Sequence, residues 1–244
     1  MKLQKIIDIL ESIAPVQDAY EWDNVGLMIG LVDQEISKIL ISLDFDENAV
    51  NCAIEHGADL IITHHPAIFK PIKRITDKNI IRTIKNDIAV YSAHTNLDVA
   101  VGGVNYVLAD ALEVYNCSQY GILRVGYIDS MTFGEVIDKV KRSLDVSALR
   151  IVGSIDKPIR KVAVIGGAGG DFVSYACDLG CDLIITGECK YDQAQNAYNQ
   201  GIALIAAGHF ETENPVVHKL ADTLRRRIDV DIIEATSKNI FNII

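Results

Sequence analysis

Gly57-Ala58-Asp59-Leu60-Ile61-Ile62-Thr63 recurs as Gly180-Cys181-Asp182-Leu183-Ile184-Ile185-Thr186, an offset of 123 in a chain of 244 residues. At the same offset Gly30 meets Gly153, Asp33 meets Asp156, Ile36 meets Ile159, Lys38 meets Lys161 and Ala53 meets Ala176, with no gap between them. Matches held in one register over this length mark an internal duplication. Within each copy the Leu-Ile-Ile-Thr run is apolar without alternation and is bounded by turn signals, the pattern of a strand buried on both faces. Strands of that kind belong to parallel sheets covered by helices, so the repeat points to α/β layering.

Working outward, Lys38 to Leu43 and Lys161 to Ile165 read as strands. Each leads through a turn into a helix, Glu47 to His56 or Phe172 to Leu179, that ends at Gly57 or Gly180. After the repeated strand come helices over Asn79 to Asn86 and Tyr191 to Gln200, then strands over Ile88 to Ala93 and Ile202 to Ala207. Helices Leu3 to Ile13 and Thr132 to Leu144 open the halves, the latter with capping-box spacing between Thr132 and Glu135. The expected fold class is therefore α/β: two similar α/β domains related by the duplication and a pseudo-twofold axis, each a largely parallel sheet flanked by helices. No flexible linker is visible. The junction is expected between Gln119 and Gly126, giving a first repeat over 1–122 and a second over 123–244.

With 49% apolar and 23% charged residues, the composition excludes a disordered chain, and the apolar runs are too short for a bilayer span. The N-terminus mixes charge into helical apolar spacing and shows no export signal, so a cytoplasmic protein is expected. A formal charge of −10 opposes general binding to phosphate backbones. The five cysteines are odd in number and form no Cys-x-x-Cys pair, which fits reduced thiols serving as small buried residues.

Ligands of α/β sheets bind beyond the carboxyl ends of the strands. There the first copy carries Thr63-His64-His65-Pro66 and His94-Thr95-Asn96-Leu97-Asp98, and the second carries Thr186-Gly187-Glu188 and His209-Phe210-Glu211-Thr212-Glu213. Four of six histidines thus stand at strand ends. A His-x-x-x-Asp loop in one copy corresponds to a His-x-x-x-Glu loop in the other, and two such loops facing across an axis could enclose a shared site. Neighbouring His64 and His65 point to opposite sides of extended backbone, and Pro66 favours that geometry, so they suit two adjacent ions better than one. Imidazoles with carboxylates suit Zn, Fe, Mn, Co or Ni, and paired ions would lie about 3.5 to 4 Å apart. His56 and His218 fall on helices outside this pattern and are read as structural.

These stretches, together with Glu21-Trp22-Asp23-Asn24-Val25-Gly26-Leu27 and the Ala67-Ile68-Phe69-Lys70 that continues the His-His-Pro segment, resemble the NIF-three-like family, also labelled GTP cyclohydrolase I type 2 homologues. The resemblance runs through essentially the whole chain. It implies two similar α/β domains, a ring-shaped homohexamer whose metal sites face an internal cavity, and two divalent ions per subunit held by His64, His65, Asp98, His209 and Glu213, with Glu213 bridging. Asp192 stands where many members have a histidine, so no role of that histidine carries over. The offset of 123 leaves no space for the extra domain of longer members.

The function expected from these residues is that of a metal-dependent hydrolase of a nucleotide or phosphoester, with His94 or Glu188 moving protons and Lys70, Lys73 and Arg74 binding phosphate. The family label points to opening of the purine ring of GTP. The alternative is a metal-loaded ring that binds a protein or single-stranded nucleic acid. Gly166-Gly167-Ala168-Gly169-Gly170 fits tight turn packing better than an anion cradle, because it matches neither nucleotide-binding fingerprint. Arg225-Arg226-Arg227 reads as an exposed helix face or subunit contact, and Trp22 as a residue of the site mouth or the core.

Overall fold

The computed structural model describes residues 1–242. By its contacts the chain forms two compact units. One comprises Met1–Gly103 and Val216–Lys238, the other Val104–Pro215 with residues 239–242.

The first unit runs α1 (Leu3–Ile13), β1 (Gly26–Ile29), β2 (Lys38–Ser42), α2 (Glu47–His56), β3 (Leu60–Thr63), α3 (Lys78–Lys85), β4 (Ala89–Ser92) and α4 (Thr95–Val99). The second runs α5 (Val104–Ala111), β5 (Tyr115–Tyr120), β6 (Leu123–Thr132), α6 (Phe133–Leu144), β7 (Arg150–Val152), β8 (Pro158–Ile165), α7 (Val173–Asp178), β9 (Leu183–Thr186), α8 (Tyr191–Gln200), β10 (Ala203–Ala206) and α9 (His209–Glu213). Helix α10 (Pro215–Arg225) and β11 (Asp231–Glu234) then complete the first unit.

The first sheet has strand order β1-β4-β3-β2-β11 and the second β5-β6-β8-β9-β10-β7. Strands β11, β2, β3 and β4 are parallel, with β1 antiparallel at the edge. In the second sheet β8, β9 and β10 are parallel, and β7 and β6 flank them antiparallel. The duplicated strands keep one register: Ile39 faces Leu60 in the first sheet, and Val162 faces Leu183 in the second.

The aspartate of each repeat shows why that stretch recurs. Asp59 Oδ2 accepts the backbone N–H of Ser37 at 2.7 Å and of Lys38 at 3.0 Å, while Asp182 Oδ2 accepts those of Arg160 at 3.0 Å and Lys161 at 2.9 Å. Each carboxylate thus holds the neighbouring strand just before its parallel pairing with the repeated strand begins, at Ile39 or at Val162. The preceding lysines do the same for the helix ends, Lys38 Nζ donating to His56 O and Lys161 Nζ to Leu179 O. Gly57 and Gly180 close those helices at φ of 65° and 70°, a conformation that favours glycine.

Leu-Ile-Ile-Thr is buried at every position in both copies. Leu40, Ile61 and Val90 pack with Ala49, Val50 and Ala53 of α2, and Val162, Ile185 and Ile205 pack with Phe133, Val136 and Val140 of α6. Each large side chain so buried contributes about 1.5 to 3 kcal/mol.

Two expectations change. The segment from Gln119 to Gly126, expected as a junction, lies in an antiparallel hairpin in which Tyr120 faces Leu123 across Gly121, so a cut between 122 and 123 divides β5 from β6. Strand β5 is exposed at all six residues and therefore shows no apolar alternation in sequence. The return of α10 and β11 is the second difference: β11 adds to β2 in parallel, pairing Asp231 with Lys38. Arg225 helps to hold that return, reaching Glu234 at 2.8 Å and Asp222 at 3.1 Å.

The five cysteines are free, with Cys181 and Cys189 buried, Cys52 and Cys177 half-buried and Cys117 exposed. Burial pushes the Cys181 thiol up to about 11, against the pull of Lys161. Among the described residues no helix is long and apolar enough to cross a membrane.

Candidate metal centre

In the first unit the chain leaves β3 directly into His64 and His65, and leaves β4 through Ala93 into His94 and the one-turn helix α4 that carries Asp98. The backbone N–H groups of His64 and His65 both donate to Leu43 O, and Thr63 Oγ1 donates to His65 O at 2.8 Å, so the His-His step is fixed from both ends. The ligand-capable atoms of His64, His65 and His94 lie within 4.8 Å of one another. His64 Nε2 is 3.8 Å from Asp98 Oδ1, and both side chains are nearly covered.

All three rings are oriented through Nδ1. His64 Nδ1 meets Ala93 O at 3.0 Å, His65 Nδ1 meets Asp44 Oδ1 at 2.7 Å, and His94 Nδ1 meets Asp23 Oδ1 at 2.9 Å. An oxygen on one ring nitrogen fixes the tautomer and leaves the other nitrogen as a ligand, as at metal-binding histidines. Asp23 is held further by the hydroxyl of Thr95 at 2.6 Å and its N–H at 3.0 Å. Burial would raise its carboxyl, but the hydrogen bonds from His94 and Thr95 outweigh that and hold it well below the usual carboxylate range.

In the second unit the corresponding loop carries His209 and Glu213 one turn apart on α9. His209 Nε2 lies 3.0 Å from Glu213 Oε2, and His209 Nδ1 lies 3.2 Å from Glu188 Oε1. Glu188 therefore stands to His209 as Asp44 does to His65. The glycine loop before α7 makes room for this pair. A Cβ on Gly167, whose φ is 58°, would fall 2.1 Å from Glu213 Oε1 and 3.2 Å from His209 Nε2. Gly166 and Gly167 thus serve close packing against the Glu213 side chain, while Gly169 packs on Ile165 and Thr186 and Gly170 on Gln193. The donors are imidazoles and carboxylates without a thiolate, a set that fits borderline divalent cations.

The two His-x-x-x-acid loops are not in the same register. Thr63 pairs with Ser92 and Thr186 with Ala206, so His94 lies two residues past its strand and His209 three past its own. The backbone position of His94 is that of Gly208. His94 also precedes its helix, whereas His209 begins one.

Among the other expected residues, Lys70, Lys73 and Arg74 lie in an exposed stretch between β3 and α3, and Asp192 is exposed in the first turn of α8. Trp22 is 60% exposed beside His94, which places it at the mouth of the histidine cluster and not in the core. His56 and His218 also engage oxygens through Nδ1 but belong to no group of three potential ligands among the described residues. Asp23 and Asp44 are additions to the sequence reading. Asp44 follows β2 and is accessible to the same strand-end rule, whereas Asp23 comes from an irregular loop before β1 and carries no such signal.

A Clostridium perfringens protein named GTP cyclohydrolase 1 type 2 homolog is 42% identical over 253 residues, covering 98% of this chain and 97% of that protein. The crystal structure of Staphylococcus aureus hypothetical protein SA1388 matches with a TM-score of 0.94 at 28% identity, covering 100% of this chain and 99% of the other. Reduced HcgD from Methanocaldococcus jannaschii matches with a TM-score of 0.87 at 31% identity, covering 97% and 98% of the two chains. The model of the Duf34/NIF3 (NGG1p interacting factor 3) family matches residues 1–240, and the chain belongs to that family.

Proposed function

We propose that the protein is a dinuclear metal-dependent hydrolase acting on a nucleotide or phosphoester, with His64, His65, Asp98, His209 and Glu213 as the ligands. The observation that carries this reading is the set of strand-end imidazoles whose Nδ1 atoms are tied to oxygens, three of them with ligand atoms within 4.8 Å. When bound, two divalent ions would supply Lewis-acid polarisation of the substrate and a water of lowered pKa.

The chain's own residues have separable tasks. His94, oriented by Asp23, accepts or returns a proton at Nε2. Glu188 fixes the His209 ring through Nδ1, and its exposed carboxylate is the second proton carrier. Lys70, Lys73 and Arg74 bind phosphate from their exposed segment. The names of the relatives make a purine nucleotide the first substrate to try.

The test is a screen of nucleotides and phosphoesters with metal-stripped and reconstituted protein, following products by mass. Product that appears only after reconstitution supports the reading. Binding of single-stranded nucleic acid that weakens steeply with salt, with no turnover of any small substrate, would favour a binding ring instead.

A further inference from the structure

Three exposed aromatic rings gather beside His94. Trp22, 60% exposed, stacks on Tyr20 with ring centroids 5.6 Å apart and planes at 26°. It meets Phe69 edge-on at 6.0 Å and His94 at 6.3 Å, and Phe69 stands 6.3 Å from His94. Trp22, Phe69 and His94 thus form a triangle of rings with sides near 6 Å.

The backbone around these rings is fixed. Tyr20 N–H donates to Thr95 Oγ1 at 3.0 Å, Asp23 N–H closes a turn onto Tyr20 O at 2.9 Å, and the Asp23 carboxylate binds His94 and Thr95. Asn24 Nδ2 donates to Ile68 O, tying the Trp22 segment to the residue before Phe69. An indole this open leaves a large apolar surface in water, yet it is held in place by hydrogen bonds to the segment that carries His94. Such a surface has a use when a flat partner covers it. Phosphate gains nothing from the indole face and a ribose offers it little flat surface, whereas every nucleobase has a π-face that stacks on an aromatic ring. Lys70 follows Phe69 directly and supplies a cation for the phosphate end of the same ligand.

We infer that Trp22 and Phe69, backed by Tyr20, form a stacking platform for the planar base of a nucleotide, which sets the substrate class of the neighbouring site. This rests on the hydrolase reading for its reaction but not for its binding.

Trp22 is the single tryptophan of the chain and reports on its own face. Metal-reconstituted protein is titrated with GTP and with ribose 5-phosphate, following tryptophan fluorescence and, for the variants, heat of binding. GTP should quench the fluorescence saturably and ribose 5-phosphate should not. Trp22→Ala should weaken GTP binding roughly five- to hundredfold, with Trp22→Phe close to the parent and ribose 5-phosphate binding unchanged. Equal GTP affinity in Trp22→Ala, saturable binding without quenching, or no GTP binding by the parent protein would overturn the platform. Quenching without turnover of any nucleotide would sink the hydrolase reading alone. GTP hydrolysis whose KM ignores Trp22→Ala would sink the platform alone.

Discussion

His94 Nδ1 lies 2.9 Å from Asp23 Oδ1, and the Asp23 side chain is completely covered. The imidazole is thereby aimed from behind by a carboxylate that also binds Thr95. If His94 carries the proton as proposed, Asp23→Ala should lower turnover at least tenfold without loss of bound metal, because it frees that ring and touches none of the proposed ligands.

The same carboxylate makes stability depend on pH. Its folded pKa lies below the ordinary value, so its contribution is present above about pH 4 and is lost as the pH falls through the folded value. In metal-free protein Asp23→Ala should cost about 1 to 3 kcal/mol near pH 7, and the gap to the parent should narrow in acid. Denaturant titrations at pH 7 and pH 3 measure it; a gap that widens in acid would contradict the assignment.

Gly30 and Gly153 occupy equivalent places in the duplication, with φ of 115° and 124°. A Cβ on Gly30 would come within 2.7 Å of Ala89 Cβ, and one on Gly153 within 3.3 Å of Ala203 Cβ. Gly30→Ala should therefore destabilise by about 2 to 4 kcal/mol and Gly153→Ala by about 1 to 3 kcal/mol, since both force a left-handed backbone but only the first drives two methyl groups together. Thermal unfolding of the two variants should preserve that order.

The parallel core was readable because Leu60 to Thr63 and Leu183 to Thr186 are buried on both faces, and burial of that kind writes itself into an unbroken apolar run. Strand β5 was not, because an exposed edge strand needs no apolar side chains. Nor was the return of β11 to the first sheet, a long-range pairing that no local pattern encodes. The strand-end histidines were legible from position alone. What the sequence hid was the register of their loops: His-x-x-x-acid spacing is identical in both, and only the strand pairing shows His94 one residue short of the place His209 takes. Asp23 was hidden for the same reason, since it meets His94 from 71 residues away.

A closed homohexamer is the assembly that the resemblance implies, and closed symmetry is common among soluble oligomers. Light scattering at low micromolar concentration should give a mass near six times the 26.8 kDa chain. A mass near that of one chain would refute it.

Metal content of two purified variants tests the ligand assignment most directly. Glu213 offers two carboxylate oxygens beside His209, and its charge would offset the repulsion between the two proposed cations. His94 offers one neutral nitrogen, one residue out of register with His209. With two ions per parent subunit, Glu213→Ala should retain at most one, while His94→Ala should retain both and lose activity through proton transfer. Two ions kept in Glu213→Ala, or both lost in His94→Ala with its circular dichroism unchanged, would show that ligand and proton carrier are the other way round.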